Sequence, residues 1–460
     1  MKYNNGENME NNEIKVPKRI LSSLLNSLAA GVVPRSGAPY IAIGRKEEVD
    51  AVLDDLDIIS DGGAGMRFII GKYGSGKSFL LQLIRGYAIE RGFVTADADL
   101  SPERRFSGSK GTGRATFCEL IKNLACKSSP DGGALRMIIT KWLSGLQSEA
   151  AAAGLEPGNS DFKSFVGKRV FEVTGSLESQ VNGFDFALVI KRFYDAYIDG
   201  DENTVSDCLR WLRGEFTTKT EAKNALGALS VIDDDNWYNY IKLYAVFFRK
   251  IGYKGFAVMI DECVNLYKIP NRISRENNYE KILSMFNDAM QNKAEGLELL
   301  LGGTPQFLED GRRGLYSYEA LKSRLYDNRF AESGYKNLIG PVIRLRRLSD
   351  AELYALIVRL TRLHAQYYGV TPRITDGEQQ EFLKLCLNRA GADTMITPRE
   401  IIRDYVSLLN ILLQNPDATA SSLINGGAVK LAHGDTDPDA ADDNGYDSTK
   451  FDFNSEDIQF

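Results

Sequence analysis

The chain has 460 residues, 43% hydrophobic and 26% charged, with 56 Lys and Arg against 62 Asp and Glu, a formal net charge of −6. These fractions match ordinary soluble domains and exclude a disordered, collagen-like or mini-protein class; the length predicts roughly two to four structural units. Five scattered cysteines (Cys118, Cys126, Cys208, Cys263, Cys386) form no CxxC pair, and His364 and His433 are the only histidines, so a disulfide framework, a zinc centre and a Ser/His/Asp hydrolase are all disfavoured.

No apolar run approaches the ~20 residues of a membrane span. The start, MKYNNGENMENNEIKVPKR, lacks the apolar stretch of a signal peptide. A soluble cytoplasmic protein with no membrane association is expected. The charge is uneven: from Gly434 to Phe460 nine acids face one base, Lys450, giving −8 there and +2 for the other 433 residues.

In chain order, residues 1–35 read as a polar, Asn-rich arm followed by a short helix, Arg19 to Ala30. After the Pro/Gly-punctuated GVVPRSGAPY, residues Val49, Val52, Leu53 and Leu56 recur at helical spacing. Met66–Ile70 is a short apolar strand, followed by GKYGSGKS, an amphipathic helix, and a second strand over Phe93–Ala96 that leads into Asp97-Ala98-Asp99. Strand, glycine-rich turn, helix, strand opens an α/β unit with a parallel sheet. Residues 101–253 turn to helical periodicity and predict a helical insertion. Strands return at Phe256–Ile260, Leu297–Leu301 and Val342–Leu345. Residues 36–100 and 254–347 are thus the expected α/β core, 348–415 a helical region, and 416–460 an acidic, disordered tail.

Gly71-Lys72-Tyr73-Gly74-Ser75-Gly76-Lys77-Ser78 fits GxxxxGK[ST] between a predicted strand and a predicted helix, the setting of a Walker A phosphate loop. Glycines let the backbone wrap a polyphosphate, while successive N–H groups and the helix N-terminus face it with partial positive charge. In such a loop Lys77 reaches the β- and γ-phosphates of ATP and the Ser78 hydroxyl is a Mg2+ ligand. The competing reading is a chance glycine turn.

Met259-Ile260-Asp261-Glu262 is the natural partner, since an apolar strand ending in two carboxylates sets Asp261 by the metal and Glu262 by the attacking water. A solvated strand end would read the same without the phosphate loop.

With these two motifs the chain resembles the AAA+ class of P-loop ATPases. The resemblance implies a polar sensor at Thr304, which also reads as a helix N-cap before Pro305. It implies an arginine finger for a neighbouring subunit at Arg324, with Arg312, Arg313 and Arg329 as rivals, and hence a homo-oligomer. It implies a lid cation at Arg399, in the helix opened by Thr397-Pro398, and a segment beside the adenine at Gly44-Arg45. Any of these arginines also reads as a solvated surface residue.

A closer resemblance, carried by GVVPRSGAPYIAIGRKEEVD, FIIGKYGSGKSFLLQLIRGYA, VMIDECVNLYK, LGGTP and GLYSYEALKSRL, is to the ATP-binding proteins of bacterial BREX phage-exclusion systems, the BrxC/BrxD type. It implies an ATPase acting with other defence-system proteins on invading DNA. The chain is short for the BrxC end of that family, and its acidic C-terminus departs from the pattern.

DNA could be met directly or through partners. Arg104, Arg105, Lys110, Arg114, Lys122 and Lys127 form a basic, glycine-rich cluster suited to phosphates or merely solvated. The closing Lys450–Phe460 resembles the acidic tip of single-strand DNA-binding protein, a carboxylate-bearing docking peptide or a solubilising tail. The expectation is a Mg2+-dependent ATPase that assembles or remodels a DNA-directed defence complex. Its alternatives are an ATP-dependent oligomeric switch with negligible turnover and an origin-recognition-like DNA-binding ATPase.

Overall fold

The structure, a computed structural model, describes residues 15–157, 159–178, 180–326, 337–389 and 397–425. The acidic tail from residue 426, the first fourteen residues and Arg329 lie outside them.

Five strands form one wholly parallel sheet: β1 (Gly65–Ile70), β2 (Val94–Asp99), β3 (Phe256–Asp261), β4 (Leu297–Gly303) and β5 (Val342–Arg344). Their order across the sheet is β2-β3-β4-β1-β5. Every residue of β3 and β4 is buried, as expected of central parallel strands covered on both faces. β2 continues past the predicted Ala96 because it pairs with β3 to the end, bringing Asp99 level with Asp261.

The register decides where the chemistry goes. β4 lies between β1 and β3, with Gly303 beside Ile70 and Leu301 beside Ile260. The residues that follow β1, β3 and β4 therefore emerge together at the carboxyl end of the sheet, the edge at which open α/β sheets bind ligands.

Between β2 and β3 the described residues form seven helices, from Thr112–Lys122 to Trp237–Lys250. Two of them, Ser160–Glu178 and Lys219–Leu226, are not evident from periodicity; the second has only 8 residues. Aromatic rings fill the interior: Phe186 meets Tyr244 edge-on at 5.1 Å and Trp211 meets Tyr240 at 5.6 Å. Phe248 reaches Phe256 of β3 at 5.2 Å, so these helices share one apolar core with the sheet.

The chain divides into two compact units, residues 45–347 and a second made of 1–44 with 348–460. In the second unit the N-terminal helix Lys18–Ala29 packs with Asp350–Tyr368 and Pro398–Gln414. Tyr405 joins these helices by a 2.6 Å hydroxyl contact with Thr361 and a 5.1 Å ring contact with Phe382. The segment from residue 416, read in sequence as tail, carries one more short helix, Ala420–Asn425, because Ala420 and Ile424 are buried there.

Candidate functional site

The loop Gly71–Gly76 joins β1 to the helix Lys77–Glu90. Its turn requires glycine where the backbone is left-handed, at Gly74 (φ 75°) and Gly76 (φ 89°). At Gly71 the need is space, since a Cβ there would lie 2.2 Å from the Ser75 hydroxyl. That hydroxyl is buried and has no hydrogen-bond partner among the described residues. Lys72 and Tyr73 stand exposed on the outside of the loop. Lys77 donates from Nζ to the carbonyls of Gly71 (2.8 Å) and Lys72 (3.2 Å), which bends its ammonium back over the loop.

Asp261, the last residue of β3, takes both its neighbours. Its Oδ2 accepts from the Ser78 hydroxyl at 2.5 Å and its Oδ1 from the Glu262 amide at 2.8 Å. A Cβ on Gly302 of β4 would sit 2.3 Å from Asp261 Oδ1, so the glycine of the adjoining strand makes room for this carboxylate. The donor set of hydroxyl and carboxylate oxygens is hard and suits Mg2+. Among the described residues no group of three or more His, Cys, Asp or Glu is arranged to hold a metal ion.

Glu262 has φ 57°, a left-handed backbone that costs a non-glycine residue roughly 1–3 kcal/mol and concentrates at functional sites. Its carboxyl is pushed above the usual carboxylate range, first by desolvation and then by Asp261 and Asp99, while Lys77 opposes the shift. Asp99, at the end of β2, is raised likewise by desolvation and then by Asp261. Asp99 was not among the expected site residues; the signal was present in Asp97-Ala98-Asp99 closing a strand.

Thr304 is buried at the exit of β4 and caps the helix Pro305–Glu309, accepting from the Phe307 amide at 3.3 Å. Its O–H remains a donor. Lys77, Ser78, Asp261, Glu262 and Thr304 therefore gather at one end of the sheet.

The candidate finger arginines within residues 45–326 have other partners or are exposed. Arg324 lies exposed on the helix Glu319–Leu325, donating to Asn287 Oδ1 at 3.1 Å and to the Ala320 carbonyl at 2.7 Å. Arg313 binds the Tyr267 and Ile269 carbonyls and stacks on the Tyr267 ring, and Arg312 is exposed. Arg399 is exposed at the start of Pro398–Gln414 in the second unit. Gly44 belongs to that unit too, at φ 67°, where a Cβ would meet Glu352 Oε1 at 2.2 Å. Arg45 is 3% exposed, and its guanidinium holds the Ser75 carbonyl at 2.7 Å and the Arg346 carbonyl at 2.8 Å.

The basic cluster divides: Arg104, Arg105 and Arg114 are half-buried, whereas Lys110, Lys122 and Lys127 are exposed. Arg104 donates to the Asp99 carbonyl, Arg114 to that of Gly214, and Lys127 pairs with Glu90 at 3.0 Å. The amides of Gly111 and Arg114 donate to Asp234 at 2.8 and 2.9 Å. A cavity of about 570 Å³ beside this cluster contains no residue of the loop Gly71–Gly76, and its four cations, Arg104, Arg114, Lys122 and Arg213, share it with Glu103, Glu119 and Glu215.

Among the described residues no helix is long and apolar enough to cross a membrane. No curated protein matches the chain. The sequence profile described as BREX system ATP-binding protein BrxC/D matches residues 16–427, from the N-terminal helix to the last described one. The chain therefore belongs to the BREX system ATP-binding protein BrxC/D family, and with it to a phage-defence system.

Proposed function

We propose that the protein is a Mg2+-dependent, AAA+-like ATP hydrolase whose cycle drives assembly or remodelling of a DNA-directed defence complex. The observation that carries this reading is the 2.5 Å contact between Ser78 and Asp261, which joins the phosphate loop to the Asp-Glu strand across 183 residues of sequence. In the proposed cycle Lys77 leaves the Gly71 carbonyl for the β- and γ-phosphates, and Ser78 and Asp261 turn their oxygens to Mg2+. Held by these two side chains, Mg2+ would supply positive charge against the negative charge that develops on the phosphates. Glu262 accepts a proton from the attacking water, and Thr304 orients that water with its remaining O–H. Its raised pKa makes Glu262 a stronger base than an ordinary carboxylate.

Within this reading residues 101–253 are an insertion in the nucleotide-binding core and 348–415 a lid. Arg324 serves a neighbouring copy in a homo-oligomer, and Arg399 contributes from the lid. DNA contact, direct through the exposed Lys110 or through partner proteins, belongs to the same proposal.

A purified preparation tests it. Glu262→Gln should retain ATP affinity and lower turnover by ~10²–10⁴, whereas Lys77→Ala should weaken ATP binding itself. Full turnover by the Glu262→Gln protein would overturn the assignment. Bound ATP with no turnover in the unaltered protein would favour an ATP-operated switch, a reading to which the left-handed backbone at Glu262 lends weight.

A further inference from the structure

Arg45 does something that neither a surface arginine nor an adenine-facing one would do. Its side chain is buried, and one nitrogen, Nη2, donates to both the Ser75 and Arg346 carbonyls, while Nη1 lies 3.6 Å from Glu48. Ser75 and Gly76 form the last turn of the phosphate loop before Lys77, and a Cβ on Gly76 would lie 3.8 Å from Arg45 Nη2. In a trans peptide the C=O and the following N–H point in opposite directions. By fixing the Ser75 carbonyl, Arg45 therefore turns the Gly76 N–H away from itself.

The second bond matters as much. Arg346 follows β5, whose extension continues with the Leu345 amide donating to the Ile70 carbonyl at 2.7 Å. Leu345 Cβ lies 3.1 Å from the position of a Cβ on Gly71. The outer wall of the phosphate loop is thus built from Arg45 and Leu345-Arg346. The chain passes between its two compact units at 44/45 and at 347/348, so this wall consists of the first residue and nearly the last residues of the nucleotide unit.

We infer that Arg45 is a positioning residue for the polyphosphate: it aims the Gly76 amide at the ligand and ties the occupied loop to the segment 345–347. The inference rests on the phosphate loop binding ATP, as proposed above. Arg45 touches the loop's backbone and not the reacting atoms. A lysine can supply charge and one donor but lacks the planar fork of the guanidinium.

Arg45→Met and Arg45→Lys separate the possibilities, with ATP and inorganic tripolyphosphate as probes by calorimetry. A charge-assisted hydrogen bond lost from a buried carbonyl should weaken both ligands by about tenfold or more, equally for the two, with partial recovery in Arg45→Lys. Unchanged affinity for both ligands would overturn the inference. So would a loss confined to ATP, since that marks a residue facing the base. Hydrogen exchange on the unaltered protein gives a test that needs no variant: tripolyphosphate should slow exchange in both 71–78 and 345–347, and protection confined to 71–78 would overturn the tie. Failure of the unaltered protein to bind either ligand would instead sink the ATP-binding reading of the loop.

Discussion

The two ends of the one sheet treat acidic side chains in opposite ways. At the carboxyl end Asp99, Asp261 and Glu262 lie level with one another, and Asp261 accepts from a hydroxyl and an amide. At the amino end Glu298 of β4 is completely buried, and neither of its carboxyl oxygens has a hydrogen-bond partner. Its carboxyl is pushed well above the ordinary range, by burial first and by Asp55 second, against the opposing pull of Arg67. Arg67 in turn grips Asp55 with two bonds of 2.7 Å. One end pairs a carboxylate with a hydroxyl and an amide, and the other buries a carboxyl within a core. The same functional group is held in two different settings, and the carboxyl end is the one outside which open α/β sheets bind ligands.

The contrast can be broken at either end, and the largest effect should come from the glycine that makes room for Asp261. Gly302→Ala places a methyl within 2.3 Å of Asp261 Oδ1. It should lower ATP turnover by on the order of 100-fold while the protein still melts cooperatively. Undiminished turnover would mean that Asp261 does not need its present position.

At the other end, Arg67→Met strands Asp55 beside Glu298. Breaking a buried ion pair costs ~3–5 kcal/mol, and partial exposure here reduces the expected loss to about 2 kcal/mol. Chemical denaturation measures that loss, and ATP affinity should not move; a fall in affinity would show that the two ends are coupled.

The smallest effect concerns pH. Glu298 holds its proton in the folded state above the pH, about 4.3, at which it is lost on unfolding. Folded protein thus binds more protons than unfolded, and stability declines as pH rises past that point. Glu298→Gln removes this slope, so its melting temperature should gain on that of the unaltered protein as the pH rises from 5 to 8. A constant difference across that range would show that Glu298 ionises within the fold.

Much of the carboxyl end is legible in the sequence because its signals are contiguous. Eight consecutive residues mark the glycine-rich loop between β1 and its helix, and Met259–Glu262 marks within four the strand end that meets it. Thr304 before Pro305 already reads as a cap. What stays hidden depends on residues that meet only after folding. Arg45 finds carbonyls 30 and 301 residues away, so nothing near it in sequence distinguishes its buried clamp from a solvated cation. Glu298 sits in an apolar strand as a single charged letter, and its room inside the core comes from Gly65 beside it, where a Cβ would lie 1.9 Å from Oε2. The N-terminal helix reads as an independent arm because its partners lie more than 300 residues downstream.

The cap of the helix Thr112–Lys122 has a consequence for how the molecule is made. Asp234 supplies that cap from 123 residues away, by accepting from Gly111. A chain emerging from the ribosome presents residues 111–114 long before residue 234 exists, so those amides must stay with water until the intervening helices have formed and closed the loop. Completion of the helix end thus reports that the whole insertion has folded, and exchange of the Gly111 and Arg114 amides in a nascent or truncated chain is a clock for that event.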